Sequence, residues 1–165
     1  METQNLTYPA ALDQILLMEK PAVVIIDMQT FYMEGIPHID TIVENQQRVI
    51  RQCLRQGLPM AVLEYGGESK TVTELVSLVD LSSFKGYFTK VCDDGFTNFD
   101  FVFHLGLWKR MSILFMGVDA GYCVLDTAKS AYNWGYDVLS AECLIGGNVD
   151  KARPWFLEKG RYLVK

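Results

Sequence analysis

Short apolar runs alternate with longer amphipathic stretches along nearly the whole chain. The clearest run, Ala22 to Ile26 (AVVII), is apolar throughout, as expected of a strand that is covered on both faces. The stretch from Ile39 to Gln56 instead repeats apolar residues at helical spacing, and Gly57 follows as a helix stop. Strands that alternate with helices predict βαβ units and a parallel sheet.

The same reading extends to the rest of the sequence. The predicted strands are 22–26, 59–65, 86–91, 111–117, 136–141 and 161–164, and the predicted helices are 39–56, 71–79, 99–110, 122–134 and 152–159. This order predicts the α/β class, as a three-layer α/β/α sandwich around a mostly parallel, doubly wound sheet of about six strands. With 165 residues and no linker or repeat, we expect a single domain over residues 1–165.

Composition narrows the class of protein. The formal charge of −5 argues against a nucleic-acid-binding surface, which is normally basic, so a small-molecule partner is expected. No apolar run approaches the roughly 20 residues of a membrane span. The first twenty residues lack a secretory pattern, and the four dispersed cysteines form no C-x-x-C pair, so free thiols and a cytoplasmic location are expected.

Three chemically useful side chains lie at or just beyond predicted strand ends. Asp27 directly follows the first strand, Lys90 lies near the end of the third, and Cys123 comes shortly after the fourth. Parallel sheets bind ligands outside the carboxyl ends of their strands, so a carboxylate, an ammonium and a thiol can converge there as an activated nucleophile. Each residue also has a structural reading: a capping aspartate, a solvated lysine and a packed cysteine.

Three segments together resemble a known family. They are AVVIIDMQ, the lysine followed six residues later by Phe96, and GVDAGYCVLDTAKSAYNWGYDV, of which Gly117 to Ala128 is the most specific part. In this order they resemble the isochorismatase-like cysteine hydrolases, a superfamily that includes isochorismatase, nicotinamidases and N-carbamoylsarcosine amidohydrolases. The resemblance covers almost the whole chain.

The resemblance implies a mechanism and its residues. The catalytic aspartate, lysine and cysteine of the family fall on Asp27, Lys90 and Cys123. The oxyanion hole falls on the backbone N–H groups of Asp119 and Cys123, with a cis peptide bond between Val118 and Asp119. The implied activity is hydrolysis of a C–N bond in a small amide or carbamoyl compound through a thioester, without a cofactor. Relatives commonly form homo-oligomers, which is expected here too.

The sequence also departs from the family pattern. Asp119 and Ala120 replace the residues usual around the cis bond, and a carboxylate there is expected to repel anionic substrates or to orient a cationic or amide group. The segment after the second strand, EYGGESKTVTEL, lacks the histidines with which nicotinamidases bind a metal, so a metal-independent enzyme is expected. His38 and His104 lie on other segments and are read as surface or packing residues.

The walls of the substrate site are less well defined by the sequence. Tyr32, Tyr65, Phe96 and Tyr122 are the aromatic candidates for a small pocket, against a reading as ordinary packing residues.

A position at a helix N-terminus and the charge of Lys90 both favour a thiolate, so Cys123 is expected to be the most alkylation-sensitive thiol.

Two other readings stay open. One is a vinyl-ether hydrolase of the isochorismatase type, although such enzymes can lack the cysteine. The other is a non-catalytic scaffold that binds a ligand or partner in the same crevice. A dinucleotide-binding domain is poorly supported, because no G-x-G-x-x-G follows the first strand.

Overall fold

A six-stranded sheet forms the centre of the molecule. The computed structural model describes residues 8–67 and 69–164. All pairings within the sheet are parallel, and the strand order is β3-β2-β1-β4-β5-β6. The strands are β1 (Ala22–Ile26), β2 (Met60–Tyr65), β3 (Lys85–Lys90), β4 (Ser112–Gly117), β5 (Asp137–Ala141) and β6 (Arg161–Leu163).

Helices connect the strands and cover both faces of the sheet. They are α1 (Tyr8–Glu19), α2 (Thr30–Met33), α3 (Ile39–Gln56), α4 (Thr73–Val79), α5 (Phe99–Trp108), α6 (Leu125–Asn133) and α7 (Val149–Lys159). Short 3₁₀ turns lie at Gly95–Thr97 and Glu142–Leu144, and a π-helical turn lies at Ala120–Val124. Among the described residues, no helix has the length and apolar character needed to cross a membrane.

Two hydrophobic cores lie on opposite faces of the sheet because successive strand residues point to opposite sides. In β1, Val23 and Ile25 face the core that α1, α3 and α4 cover. Val24 and Ile26 face the core that α5, α6 and α7 cover. All five β1 side chains are buried, which explains its unbroken apolar sequence. The predicted three-layer α/β sandwich is confirmed.

The strand order reverses at β1, and this position defines the crevice. Ile26, the last residue of β1, pairs with Leu63 of β2 on one side and with Gly117 of β4 on the other. Crossover connections leave β1 and β4 toward opposite faces, so a gap opens beyond their carboxyl ends. Asp27 and the segment that contains Cys123 follow these two strand ends directly.

The structure differs from the sequence-based prediction at helices α1 and α2, which were not predicted, and in the turn before α6. Helix α1 was not predicted, because its apolar residues do not form one clear stripe: Leu12 and Leu16 are buried, whereas Leu17 and Met18 are exposed. The helix predicted over 122–134 consists of a π-helical turn followed by α6. The π-turn places one extra residue before the regular helix, which changes the direction of the side chains that precede α6.

At Gly117 there is no room between β4 and the backbone of β1 for a side chain. The φ of Gly117 is +140°, and a Cβ there would lie 2.1 Å from the carbonyl oxygen of Ile26. We therefore expect Gly117→Ala to lower the free energy of unfolding by at least about 3 kcal/mol, measured by urea denaturation. Gly57→Ala is the matched control: its φ is +65° but no atom lies within 4 Å, so about 1 kcal/mol is expected. Equal losses in the two variants would contradict this account.

Candidate active site

A buried ion pair joins the ends of β1 and β3. Lys90 Nζ lies 2.8 Å from Asp27 Oδ2, and the two side chains are 0% and 1% exposed. Strands β1 and β3 are separated by β2, so they lie roughly 10 Å apart, a span that a long lysine side chain can bridge. Lys90 Nζ also donates to the carbonyl oxygen of Cys92 at 3.2 Å and lies 4.4 Å from the ring centroid of Tyr65. The ammonium thus has three partners within the protein.

Gln29 fixes the loop that follows Asp27. Its buried side-chain amide forms two hydrogen bonds with the backbone of Tyr65: Nε2 donates to the carbonyl oxygen at 3.1 Å, and Oε1 accepts from the N–H at 2.8 Å. Nε2 also donates to the carbonyl oxygen of Ser69. These bonds tie the carboxyl end of β2 to the loop after β1, so Gln29 is a positioning residue that the sequence analysis did not single out.

The thiol of Cys123 lies beside this ion pair. Cys123 belongs to the π-helical turn and is 9% exposed. The charge of Asp27 acts on the Cys123 thiol, and Cys123 Sγ donates to Asp93 Oδ1 at 3.5 Å. The structure therefore brings together Asp27, Lys90 and Cys123, which the sequence analysis selected, and adds a second carboxylate next to the thiol.

Burial determines the protonation of the site. Desolvation raises the pKa of Asp27 above its ordinary value, although the charge of Lys90 lowers it in part. Desolvation also raises the pKa of the Cys123 thiol, and the charges of Asp27 and Asp93 raise it further. At neutral pH the resting side chain is therefore a thiol. The expectation that Lys90 and a helix N-terminus favour a thiolate was wrong, because desolvation and two carboxylates outweigh one lysine that is already paired.

Asp93 is a second residue of this site that sequence reasoning missed. It lies three residues after Lys90 in the turn that follows β3, and its backbone carbonyl accepts from Thr127 Oγ1 at 3.3 Å. The neighbouring Asp94 has a structural role, since its carboxylate accepts from Phe96 N at 2.8 Å and from Ser130 Oγ at 2.6 Å. Two adjacent acids beyond a strand end were the available signal, but the sequence does not tell which one faces the thiol.

The turn that precedes Cys123 carries a cis peptide bond between Val118 and Asp119, as the family resemblance implied. The side chain of Asp119 makes two hydrogen bonds that the sequence did not predict. Its Oδ1 accepts from Gly121 N at 2.8 Å and from Asn148 N at 3.0 Å. The carboxylate therefore caps the π-helical turn and holds the loop before α7, and its expected effect on substrate charge stays a prediction.

The four aromatic candidates separate into two groups. Tyr65 lies against Lys90, and the rings of Tyr32 and Tyr65 are 5.7 Å apart, so these two border the ion pair. Phe96 instead packs in the core that α5, α6 and α7 cover, against Phe101, Trp134 and Tyr136. Tyr122 is 47% exposed, with the ammonium of Lys151 3.6 Å from its ring centroid. The contacts of Phe96 and Tyr122 do not link them to the ion pair.

The two histidines lie outside this cluster. His38 precedes α3 and lines a cavity of about 370 Å³ together with Asn45 and Gly146. His104 lies on α5, where its Nδ1 contacts the carbonyl oxygen of Asp100 at 2.8 Å. Over residues 8–67 and 69–164, no three His, Cys, Asp or Glu side chains form a group suited to hold a metal ion.

Comparison with protein families identifies the class of this chain. The isochorismatase domain model matches residues 21–152, which include Asp27, Lys90 and Cys123. The chain therefore belongs to the isochorismatase family and is an isochorismatase-like hydrolase. This result confirms the resemblance found in the sequence. Comparison with curated protein sequences gives no match.

Solved structures share the fold at low sequence identity. The MAR1 ribonuclease from Caenorhabditis elegans is 20% identical, with 89% of this chain and 77% of that chain covered and a TM-score of 0.77. An N-carbamoylsarcosine amidase from Thermoplasma acidophilum is 21% identical, with 88% and 95% covered and a TM-score of 0.72. A nicotinamidase from Staphylococcus aureus is 18% identical, with 88% and 99% covered and a TM-score of 0.73.

The capping role of Asp119 predicts a difference between two substitutions. Asp119→Ala removes the acceptor of two backbone N–H groups, and we expect the free energy of unfolding to fall by about 1–2 kcal/mol. Asp119→Asn keeps an oxygen at the accepting position, and a loss below about 0.5 kcal/mol is expected. Urea denaturation of both variants measures the difference. A loss well above about 0.5 kcal/mol for Asp119→Asn would show that the negative charge itself stabilises the turn.

Exposure and protonation predict the order of alkylation. Cys92 is partly exposed, whereas Cys123, Cys53 and Cys143 are buried, and burial also raises the pKa of Cys53 to about 12. At limiting iodoacetamide and neutral pH, we expect Cys92 to be modified first, as read by peptide mapping. In Cys92→Ser, overall labelling slows. Modification of Cys123 ahead of Cys92 would contradict the neutral thiol described above.

Proposed function

We propose that this protein is a cysteine-dependent hydrolase that cleaves a C–N bond of a small amide or carbamoyl compound through a thioester. The observation that carries the proposal is the position of the Cys123 thiol beside a buried carboxylate, Asp27, that is itself paired with Lys90 at 2.8 Å. A nucleophile, a base and an orienting charge then lie next to one another, which is the arrangement of an activated nucleophile.

The first step begins from a neutral thiol. Asp27 accepts the thiol proton while the sulfur of Cys123 attacks the carbonyl carbon, so the S–C bond forms as the S–H bond breaks. Burial supports this role because it raises the pKa of Asp27 and makes the carboxylate a stronger base than an exposed one. Lys90 stays protonated and keeps the carboxylate oriented through their ion pair.

The oxyanion that develops is stabilised by the backbone N–H groups of Asp119 and Cys123. Both residues lie in the turn after β4. Gly117 and the side-chain cap of Asp119 hold this turn in place. Oxyanion donors of this kind contribute about 3 kcal/mol each to barrier lowering. The C–N bond then breaks, and the leaving nitrogen takes the proton that Asp27 received.

Hydrolysis of the thioester completes the cycle. Asp27, again a carboxylate, accepts a proton from a water molecule whose oxygen attacks the thioester carbonyl. The S–C bond breaks, the carboxylic acid product leaves, and the proton returns from Asp27 to the sulfur of Cys123. The chain supplies every proton donor and acceptor in this sequence, and the segment after β2 lacks the histidines with which nicotinamidases bind a metal, so the reaction proposed is metal-independent.

The net charge and the exposed surface of α5 indicate which partners to expect. The formal charge of −5 favours a small-molecule substrate over RNA, although one structure of similar fold is a ribonuclease. The expected homo-oligomer stays a prediction, and exposed apolar residues on successive turns of α5, Phe99, Phe103 and Leu107, support it.

A hydrolysis screen over small amides, ureas and carbamoyl compounds, with ammonia as the readout, tests the proposal. We expect one compound class to be hydrolysed. With that class, Cys123→Ala, Asp27→Asn and Lys90→Met should each lower kcat/KM about a thousandfold or more, because each removes a member of one catalytic unit. Intact-mass measurement of acid-quenched reactions should detect an acyl group on Cys123.

Cys92→Ser is the matched control, because it removes a nearby thiol that the mechanism does not use. It should leave kcat/KM within about twofold of the unmodified protein. Amide hydrolysis that survives in Cys123→Ala would contradict the thioester mechanism, whereas turnover of a vinyl ether and of no C–N compound would support the vinyl-ether type, which relies on the aspartate. Specific ligand binding without turnover of any compound would instead identify the non-catalytic scaffold.

A further inference from the structure

The charges around Cys123 do not balance. Asp27 and Lys90 form a buried ion pair and neutralise each other. The thiol is neutral at rest, so Asp93 adds one negative charge beside it. Among residues 8–67 and 69–164, Asp93 forms no ion pair; the hydrogen bond that its carboxylate makes is with Cys123 Sγ. The cluster of Asp27, Lys90, Asp93 and Cys123 therefore carries a net charge of −1.

Lys90 is not available to bind an anionic substrate. Its ammonium contacts Asp27, the carbonyl oxygen of Cys92 and the ring of Tyr65, and its side chain is 0% exposed. The carboxylate of Asp119 is occupied as well, because it caps two backbone N–H groups. Asp93, by contrast, is half-buried and forms no ion pair among residues 8–67 and 69–164, so its carboxylate is available to pair with a substrate cation.

We propose that Asp93 is a specificity-determining residue that selects substrates with a positively charged group close to the scissile carbonyl. The inference rests on the proposed hydrolase function and names its substrate class: small amides or carbamoyl compounds that also carry an ammonium, amidinium or guanidinium group. The cation pairs with Asp93 and makes the cluster neutral, whereas an anion is repelled.

Substrate charge also affects the nucleophile in this arrangement. The negative charge of Asp93 raises the pKa of Cys123 and contributes to the raised pKa of Asp27. A bound cation offsets that charge and so makes the thiol easier to ionise. The thiol therefore becomes more reactive when a cationic substrate is bound, and it stays less reactive while the site is empty.

The charge at the thiol is measured without any assay of hydrolysis. Two methanethiosulfonate reagents of similar size are used, one with a 2-ammonioethyl group and one with a 2-sulfonatoethyl group. The sulfur of Cys123 attacks the sulfenyl sulfur of the reagent, a mixed disulfide forms, and methanesulfinate leaves. The ratio of the two rates at Cys123 cancels the fraction of thiolate, because that fraction enters both rates equally. Cys92→Ser serves as the background, and peptide mapping identifies the modified residue.

In the Cys92→Ser background we measure the rate with the cationic reagent divided by the rate with the anionic reagent at Cys123. We expect this ratio to be higher in the folded protein than in the urea-unfolded protein. Asp93→Asn should lower the ratio about tenfold, since one charge at close range attracts one reagent and repels the other. Asp100→Asn is the matched control: it removes an exposed carboxylate in the first turn of α5 and should leave the ratio unchanged. Thermal denaturation checks that the variants stay folded.

Two results would overturn the inference. One is an equal ratio in Asp93→Asn and Asp100→Asn. The other is a Cys123 that reacts with neutral methyl methanethiosulfonate but with neither charged reagent, because the site then does not admit a cation. A Cys123 that none of the three reagents modifies would overturn this inference and the proposed function together.

Hydrolysis of three amides separates the two proposals. β-Alaninamide, butyramide and succinamate offer a cationic, a neutral and an anionic group next to a primary amide. We expect a kcat/KM order of cationic, neutral, anionic, with the cationic preference reduced about tenfold in Asp93→Asn. If neither these amides nor any compound of the screen is hydrolysed but the labelling ratio changes as expected, the charge selectivity stands and the proposed hydrolysis fails. If the amides are hydrolysed with no preference for charge, the proposed function stands and the role of Asp93 fails.

Discussion

The ion pair between Asp27 and Lys90 constrains the arrangement of the whole site. Transferring each ion from water to a protein interior costs several kcal/mol, and only close pairing with further hydrogen bonds offsets that cost. Here the 2.8 Å contact, the carbonyl oxygen of Cys92 and the ring of Tyr65 together replace the water lost by the ammonium. These partners come from β1, β2 and the turn after β3, so the pair requires the ends of three strands in register.

The same burial determines the reactivity of Cys123. A thiol beside a lysine is often expected to ionise, but the charge of this lysine is already matched by Asp27, and desolvation disfavours any further charge. The resting site therefore holds a neutral thiol and a carboxylate with a raised pKa. Such a pair can exchange a proton at the moment of attack, as the proposed mechanism requires.

How much could be predicted from sequence depended on the range of the interactions. Strand β1 and helix α3 have strong period-specific patterns, so their bounds were predicted as observed. Helix α1 lacks such a pattern and was missed, because its stability comes from packing on α3 and the sheet. Asp93 was missed for a related reason: the path of the turn after β3 determines which of two adjacent acids faces the thiol, and turn paths depend on tertiary contacts.

The sequence by itself determined the class of the fold and the placement of Asp27, Lys90 and Cys123 near strand ends. These properties follow from local periodicity and from the common direction of parallel strands, so they need no knowledge of side-chain partners. Only the tertiary structure decided that Asp119 caps a turn, that Phe96 packs in the core and that Asp93 contacts the thiol. Each of these contacts joins loops from separate parts of the chain, and their side-chain directions are set by packing between elements.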